Sequence, residues 1–179
     1  MGTGVSTVAA VGDLADGTTA TEPRWLDAKE QEVWRAYRQA VDLFEDALDR
    51  QLQGDAGIPH LYYALLSRLS EAPRHRMRMT DLAVHANITR SRLSHAMTRM
   101  EKSGWIRRDT CPSDGRGQFA VLTDEGHGLV RRTAPGHVET VRRGLFDRFT
   151  PEQAARFGEL CGLIAEGFRH EDDDLPWRR

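Results

Sequence analysis

Cysteine is scarce in this 179-residue chain. Only Cys111 and Cys161 occur, in no CxxC arrangement, so neither a zinc knuckle nor a disulfide framework is indicated. Long hydrophobic runs are lacking too. No stretch approaches the roughly 20 apolar residues of a membrane span, and the N-terminus has neither the basic start nor the apolar core of a secretory signal, so a cytoplasmic location is expected. There is no Gly-rich phosphate loop, no HExxH, no GxSxG and no paired carboxylates, which argues against an enzyme and leaves no cofactor to expect. His60, His127 and His137 stand at no i, i+4 spacing and lack nearby partners, so they read as surface histidines rather than metal ligands. No internal repeat is visible.

What is present is an uneven distribution of charge. The net charge is −2, which by itself points to no nucleic-acid partner. Between Arg74 and Gln118, however, ten Lys/Arg stand against four Asp/Glu, a local +6, with His75, His85 and His95 in the same block. The remainder of the chain is correspondingly acidic.

Hydrophobic periodicity divides the chain. Residues 1–22 are small and polar with nothing to anchor them, the pattern of a disordered leader. Val33/Trp34, Tyr37, Val41, Phe44, Leu48 and Leu52 recur every three or four residues on one long helix, ended by Gly54 and Gly57. Pro59 suits the first position of a second helix, whose face is Tyr62, Leu65, Leu66 and Leu69, and Pro73 stops it. After the basic stretch Arg74–Met79, Thr80 can cap a brief helix to Ala86, and Thr89 a longer one to Ser103. Trp105–Cys111 and Gln118–Leu122 are strand-like and flank an open tip, Pro112 to Gly117. Thr123 starts a long helix with the stripe Val130, Ala134, Val138, Val141, Leu145 and Phe149, which Pro135-Gly136 should bend or interrupt. Thr150-Pro151-Glu152-Gln153 opens a last helix, with Phe157, Leu160, Cys161, Ile164 and Phe168 facing inward. The acidic tail 170–179 is expected to be flexible.

Two short helices cross steeply only if a small residue sits at their contact, a turn-tolerant residue follows, and an apolar residue of the second packs back. Ala83, Asn87 and Leu93 fill these places, the spacing of a helix-turn-helix with its second helix exposed for a DNA groove. That second helix presents Thr89, Arg90, Ser91, Arg92, Ser94 and His95, with no acid before Glu101. These are donors and acceptors sized for base edges and phosphates. Arg99 and Lys102 suit phosphates. At the hairpin, Ser113, Asp114, Arg116 and Gln118 lie in a Gly-rich tip whose arginine can enter the minor groove; Asp114, repelled by DNA, is better placed to hold Arg116.

The run Asp114-Gly115-Arg116-Gly117-Gln118-Phe119-Ala120-Val121-Leu122-Thr123 resembles the D-x-R wing followed by Leu-Thr of the MarR (multiple antibiotic resistance regulator) family. Leu82-Ala83 and Ser94 through Ile106 resemble that family's recognition helix and its exit into the wing. The resemblance covers residues 25–169 in the same element order. It implies a mainly α fold with a small β-hairpin wing (α+β), a winged helix-turn-helix with N- and C-terminal dimerisation helices. The DNA lobe would span about 58–123 and the dimerisation helices about 26–53 and 123–169, within a regulator domain of 23–169. It also implies a homodimer on a near-palindromic operator, repression as the commoner mode, and release by a small aromatic or anionic effector. Trp34, Arg38, His60, Tyr62 and Tyr63 combine ring faces, a cation and donors suited to an effector crevice. The stripes on the first and last helices, too broad for one small winged domain to cover, independently favour a dimer.

Two other readings stay open. Cys111 stands among Arg107, Arg108 and Arg116, whose charges favour a thiolate, so a thiol-based redox regulator is one; Cys161, on an apolar helix face, should be inert. The other is a winged helix used for protein interaction without specific DNA binding.

Overall fold

The computed structural model describes residues 22–111 and 114–168. The leader, apart from Glu22, and the acidic tail lie outside them. The elements run α1 (Ala28–Ala56), α2 (His60–Glu71), a 3-10 turn (Pro73–His75), β1 (Arg76–Arg78), α3 (Met79–His85), α4 (Arg90–Lys102), β2 (Ile106–Cys111), β3 (Asp114–Leu122), α5 (Asp124–Gly144), a second 3-10 turn (Phe146–Arg148) and α6 (Pro151–Gly167). The expected mainly helical fold with a small hairpin is present, with one addition. β1 makes the sheet three-stranded and antiparallel in the order β1-β3-β2. Three residues, Arg-Met-Arg, are too few to show an alternating pattern in sequence.

Two units are distinguished, one ending at Tyr37 and one beginning at Arg38. In the first, Asp27 and Glu30 cap the start of α1 reciprocally, each backbone N–H donating to the other's carboxylate at 2.9 and 2.8 Å. The rings of Trp34 and Tyr37 are 5.9 Å apart, and Val33 is 71% exposed.

The second unit holds the core. Leu52 and Ile58 meet α2 through Leu65, Leu66 and Leu69, and this layer packs on Leu82, Leu93, Met97 and Met100, all buried. α2 reaches β1, β3 and α5, so it is the element on which the sheet and α5 are mounted. α2 lacks a capping side chain at Pro59. Asp49 of α1 supplies it instead, accepting the His60 N–H at 2.8 Å.

Several local expectations are corrected. Gly54 lies inside α1, and only Gly57, at φ 64°, breaks it. Pro59 is the cap rather than the first helical residue. Thr80 does not cap α3; that place belongs to Arg78, and the Thr80 hydroxyl donates to Asp81 instead. α5 passes through Pro135 without interruption. The missing N–H costs one ladder bond, while Gly136 gives close approach to α1, where a Cβ would collide with the Asp55 carboxylate. The α5 stripe is rotated from the expected one, with Leu129, Val130, Thr133 and Thr140 buried and Val138 52% exposed. α6 has its expected capping box, but none of its residues is buried, and Phe157, Leu160, Ile164 and Phe168 are exposed rather than inward. Cys161 is exposed as well.

Candidate nucleic-acid interface

The turn between α3 and α4 is built as its sequence predicts. Ala83 is 3% exposed and Leu93 1%, and Asn87 adopts φ 51°, a left-handed conformation that asparagine tolerates better than most residues. The Ile88 N–H closes the turn on the Ala83 carbonyl at 3.0 Å. Thr89 then caps α4, its hydroxyl accepting the Arg92 N–H at 3.2 Å.

Leu93, Ala96, Met97 and Met100 fix one face of α4 in the core. The opposite face carries Arg90, Ser91, Arg92, Ser94, His95, Arg99 and Lys102, all exposed and brought together on one side of the helix. Glu101, the only acid on α4, is drawn toward the sheet. Its carboxylate accepts the Arg108 backbone N–H at 3.2 Å and pairs with the Arg108 guanidinium at 3.4 Å. Arg92 also borders a crevice of about 690 Å³ with Asp46, Asp49, His60 and Tyr62.

Behind α4 the hairpin rises from a tightly built base. The Thr123 hydroxyl donates to the Gly104 carbonyl at 2.6 Å and accepts the Gly126 N–H at 3.1 Å. Gly104 itself has φ 77°, which explains why a glycine ends α4. Arg107 pairs with Val121 and Arg108 with Ala120, and the register becomes irregular between Thr110 and Cys111. β3 starts at Asp114, so the hairpin backbone extends further into the expected open tip. Ser113 and the side chains of Cys111, Asp114 and Arg116 lie outside the described residues, so the Asp114–Arg116 pairing remains an expectation. Gln118 is exposed opposite Thr110.

The residues expected to line an effector crevice are described each in its own unit. Trp34 belongs to the first unit, where it borders a hollow with Trp25, Leu26, Gln31 and Arg35. Arg38 forms an exposed pair with Asp42 at 2.8 Å. His60 and Tyr63 do meet, in a crevice of about 360 Å³ with Ser67, Arg68, Glu71 and His137, whereas Tyr62 faces the larger crevice beside Arg92.

The histidines have neighbours, contrary to the sequence reading. His60 bonds Glu45 at 2.9 Å and lies 5.8 Å from His137 between ring centroids, Tyr63 lies 4.5 Å from His137, and His75 lies 5.3 Å from His127. These pairings join separate elements, so no local spacing announced them. Burial, and then the His60 charge, hold His137 below the usual histidine pKa. Burial, and then the Glu71 charge, raise Tyr63.

Among the described residues no helix is long and apolar enough to cross a membrane.

Comparison with known proteins fits this geometry. The model of the MarR family matches residues 59–117, from the start of α2 into the wing. The MarR family transcriptional regulator Sco3205 of Streptomyces coelicolor, solved in complex with DNA, is 63% identical, with a TM-score of 0.82 over 88% of this chain and 99% of that one. The homoprotocatechuate degradative operon repressor of Escherichia coli is 34% identical over 60% of this chain and 71% of its own length. The HTH-type transcriptional regulator PecS of Dickeya dadantii is 34% identical over 43% of this chain, which spans only 46% of that protein. With a solved relative aligned over nearly its whole length and the winged helix-turn-helix in place, the chain belongs to the MarR family of transcriptional regulators.

Proposed function

We propose that this protein is a sequence-specific double-stranded DNA-binding regulator, probing the major groove with α4 and the minor groove with the hairpin tip. The observation that carries this reading is the outer face of α4. Seven polar or basic side chains from Arg90 to Lys102 are exposed on it, its one acid is held toward the sheet, and Leu93, Met97 and Met100 anchor the helix beneath. A merely solvated face mixes both signs. Arg90 to His95 read bases, Arg99 and Lys102 meet phosphates, and Arg116 enters the minor groove, with Asp114 holding it and Ser113 and Gln118 beside it.

The regulator works in the cytoplasm as a homodimer on a near-palindromic operator. The DNA lobe spans about 58–123 and dimerisation uses about 26–53 and 123–169, with leader and tail outside the regulator domain. Support comes from the exposed apolar surface: Trp25 and Val33 in the first unit, and Phe157, Leu163 and Phe168 in the second. Several large apolar side chains open on one helix mark surface that a second copy can cover, and two half-sites about one helical turn apart need two copies. Repression accords with the relative named as an operon repressor. For a small aromatic or anionic effector we favour the crevice of His60, Tyr63, Arg68, Glu71 and His137, whose rings suit an aromatic and whose Arg68 suits an anion, Glu71 being the acid on its wall.

Selection of binding sites from random duplexes tests the central claim. A recurrent two-half-site sequence is expected, bound with an affinity that falls steeply with salt. Enrichment of no sequence overturns sequence-specific binding, and salt-independent binding favours the protein-interaction reading.

A further inference from the structure

Arg108 is the second residue of a basic pair on β2, yet it is not deployed as its neighbour is. Arg107 is exposed and pairs with Asp109 along its own strand. Arg108 occupies the opposite face of the sheet, level with Ala120 and, across β3, Met77. Its side chain is only 24% exposed. The guanidinium donates to the Thr98 hydroxyl at 2.9 Å and to the Ser94 carbonyl at 3.4 Å, and it faces the Glu101 carboxylate at 3.4 Å. Thr98 in turn donates to the Ser94 carbonyl at 3.0 Å.

Residues 94, 98 and 101 stand four and then three apart, so they form one ridge along two turns of α4. The cation gripping that ridge stands on the strand that leads to the wing tip. Both hydrogen bonds leave from Nη2, while Nε faces the Glu101 carboxylate as an ion pair; a planar group held along two edges fixes rotation as well as distance, which a point charge does not. Ser94 and His95 sit beside the grip.

We propose that Arg108 is a positioning residue for DNA recognition: it locks the rotation of α4 to the wing strand, so that base-reading side chains and the wing tip meet the duplex in one register. It does so without touching DNA. The inference rests on the reading of α4 as the recognition helix. It adds that selectivity depends on a side chain of the wing strand as well as on those of α4.

The test uses the full-length chain with the duplex recovered by site selection, a scrambled duplex of equal length and a salt series. Arg108→Lys keeps the charge and loses the fork. Affinity for the selected duplex should fall about tenfold, with binding to the scrambled duplex and the salt slope unchanged. Arg108→Met should lose the same selectivity, again at unaltered slope. Thr98→Val, which removes one acceptor, should give a smaller loss that disappears in an Arg108→Met background.

A salt slope reduced by about one unit in Arg108→Met, with equal loss on both duplexes, would identify a phosphate contact and overturn the proposal. Wild-type selectivity in Arg108→Lys also overturns it. Should Arg108→Met fail to fold, the Lys and Val variants decide. A wild-type protein that prefers no duplex refutes the DNA-reading function itself, a result distinct from any of these.

Discussion

Asn87 holds φ 51° at the centre of the helix-turn-helix. Asn87→Val should destabilise the fold by about 1–2 kcal/mol in chemical denaturation, because a β-branched side chain is strained in that conformation, whereas Asn87→Gly should be close to neutral. Arg116→Ala should weaken operator binding by about 1–3 kcal/mol if the wing enters the groove, and wild-type affinity would refute that assignment. Arg90→Ala or Ser91→Ala should instead relax preference in a randomised-site assay. At His137, burial and the His60 charge favour the neutral ring in the folded state. The unfolded chain therefore takes up the proton first, and stability should decline as pH falls from about 6.5 through the lowered folded-state value. His60, Glu45, Tyr63 and Glu71 surround or adjoin this ring. His137→Gln should flatten that part of the thermal-stability profile; an unchanged pH dependence would place the proton uptake elsewhere.

Helices were legible where a cap and an apolar period coincide. Thr89, Thr123 and Thr150 each accept the N–H three residues on, as their sequence contexts predict. Less was legible where an element depends on a distant partner. β1 exists because Arg76–Arg78 finds β3, and α2 is capped by a carboxylate eleven residues back. Pro135-Gly136 reads as a bend or an interruption, and α5 is not interrupted, because the packing that holds a helix outweighs one lost hydrogen bond. Gly126 shows how tightly the lobe is joined: a Cβ there would run into the Trp105 carbonyl and the Leu122 side chain. Gly126→Ala should lower the melting temperature and loosen the wing base, visible as faster amide exchange in β2 and β3. Unchanged exchange would show that the contact yields readily.

For the whole molecule, the exposed face of α6 matters most. Its periodicity predicts burial, but within one chain Phe157, Leu160 and Ile164 stay 41–47% exposed. Under the proposed dimer these side chains are covered by the second copy, which would reconcile the pattern with the structure. Leu163→Asp, at a position 63% exposed, should leave the DNA lobe folded, shift sedimentation toward a monomer and weaken operator binding by the loss of the second half-site. A dimer of wild-type affinity would exclude α6 from the interface.

The sequence by itself determined the helix-turn-helix, the caps of α4, α5 and α6, the basic block and the family resemblance, since each rests on residues only a few positions apart. Tertiary structure decided what no local pattern encodes. It brought the Arg108 guanidinium against the Ser94 carbonyl and the Glu101 carboxylate, set His60 against His137, and gathered His60 and Tyr63 into one crevice. The physical reason is that hydrogen bonds and ring contacts between elements depend on how helices and strands pack, which the core fixes only when the whole chain has folded.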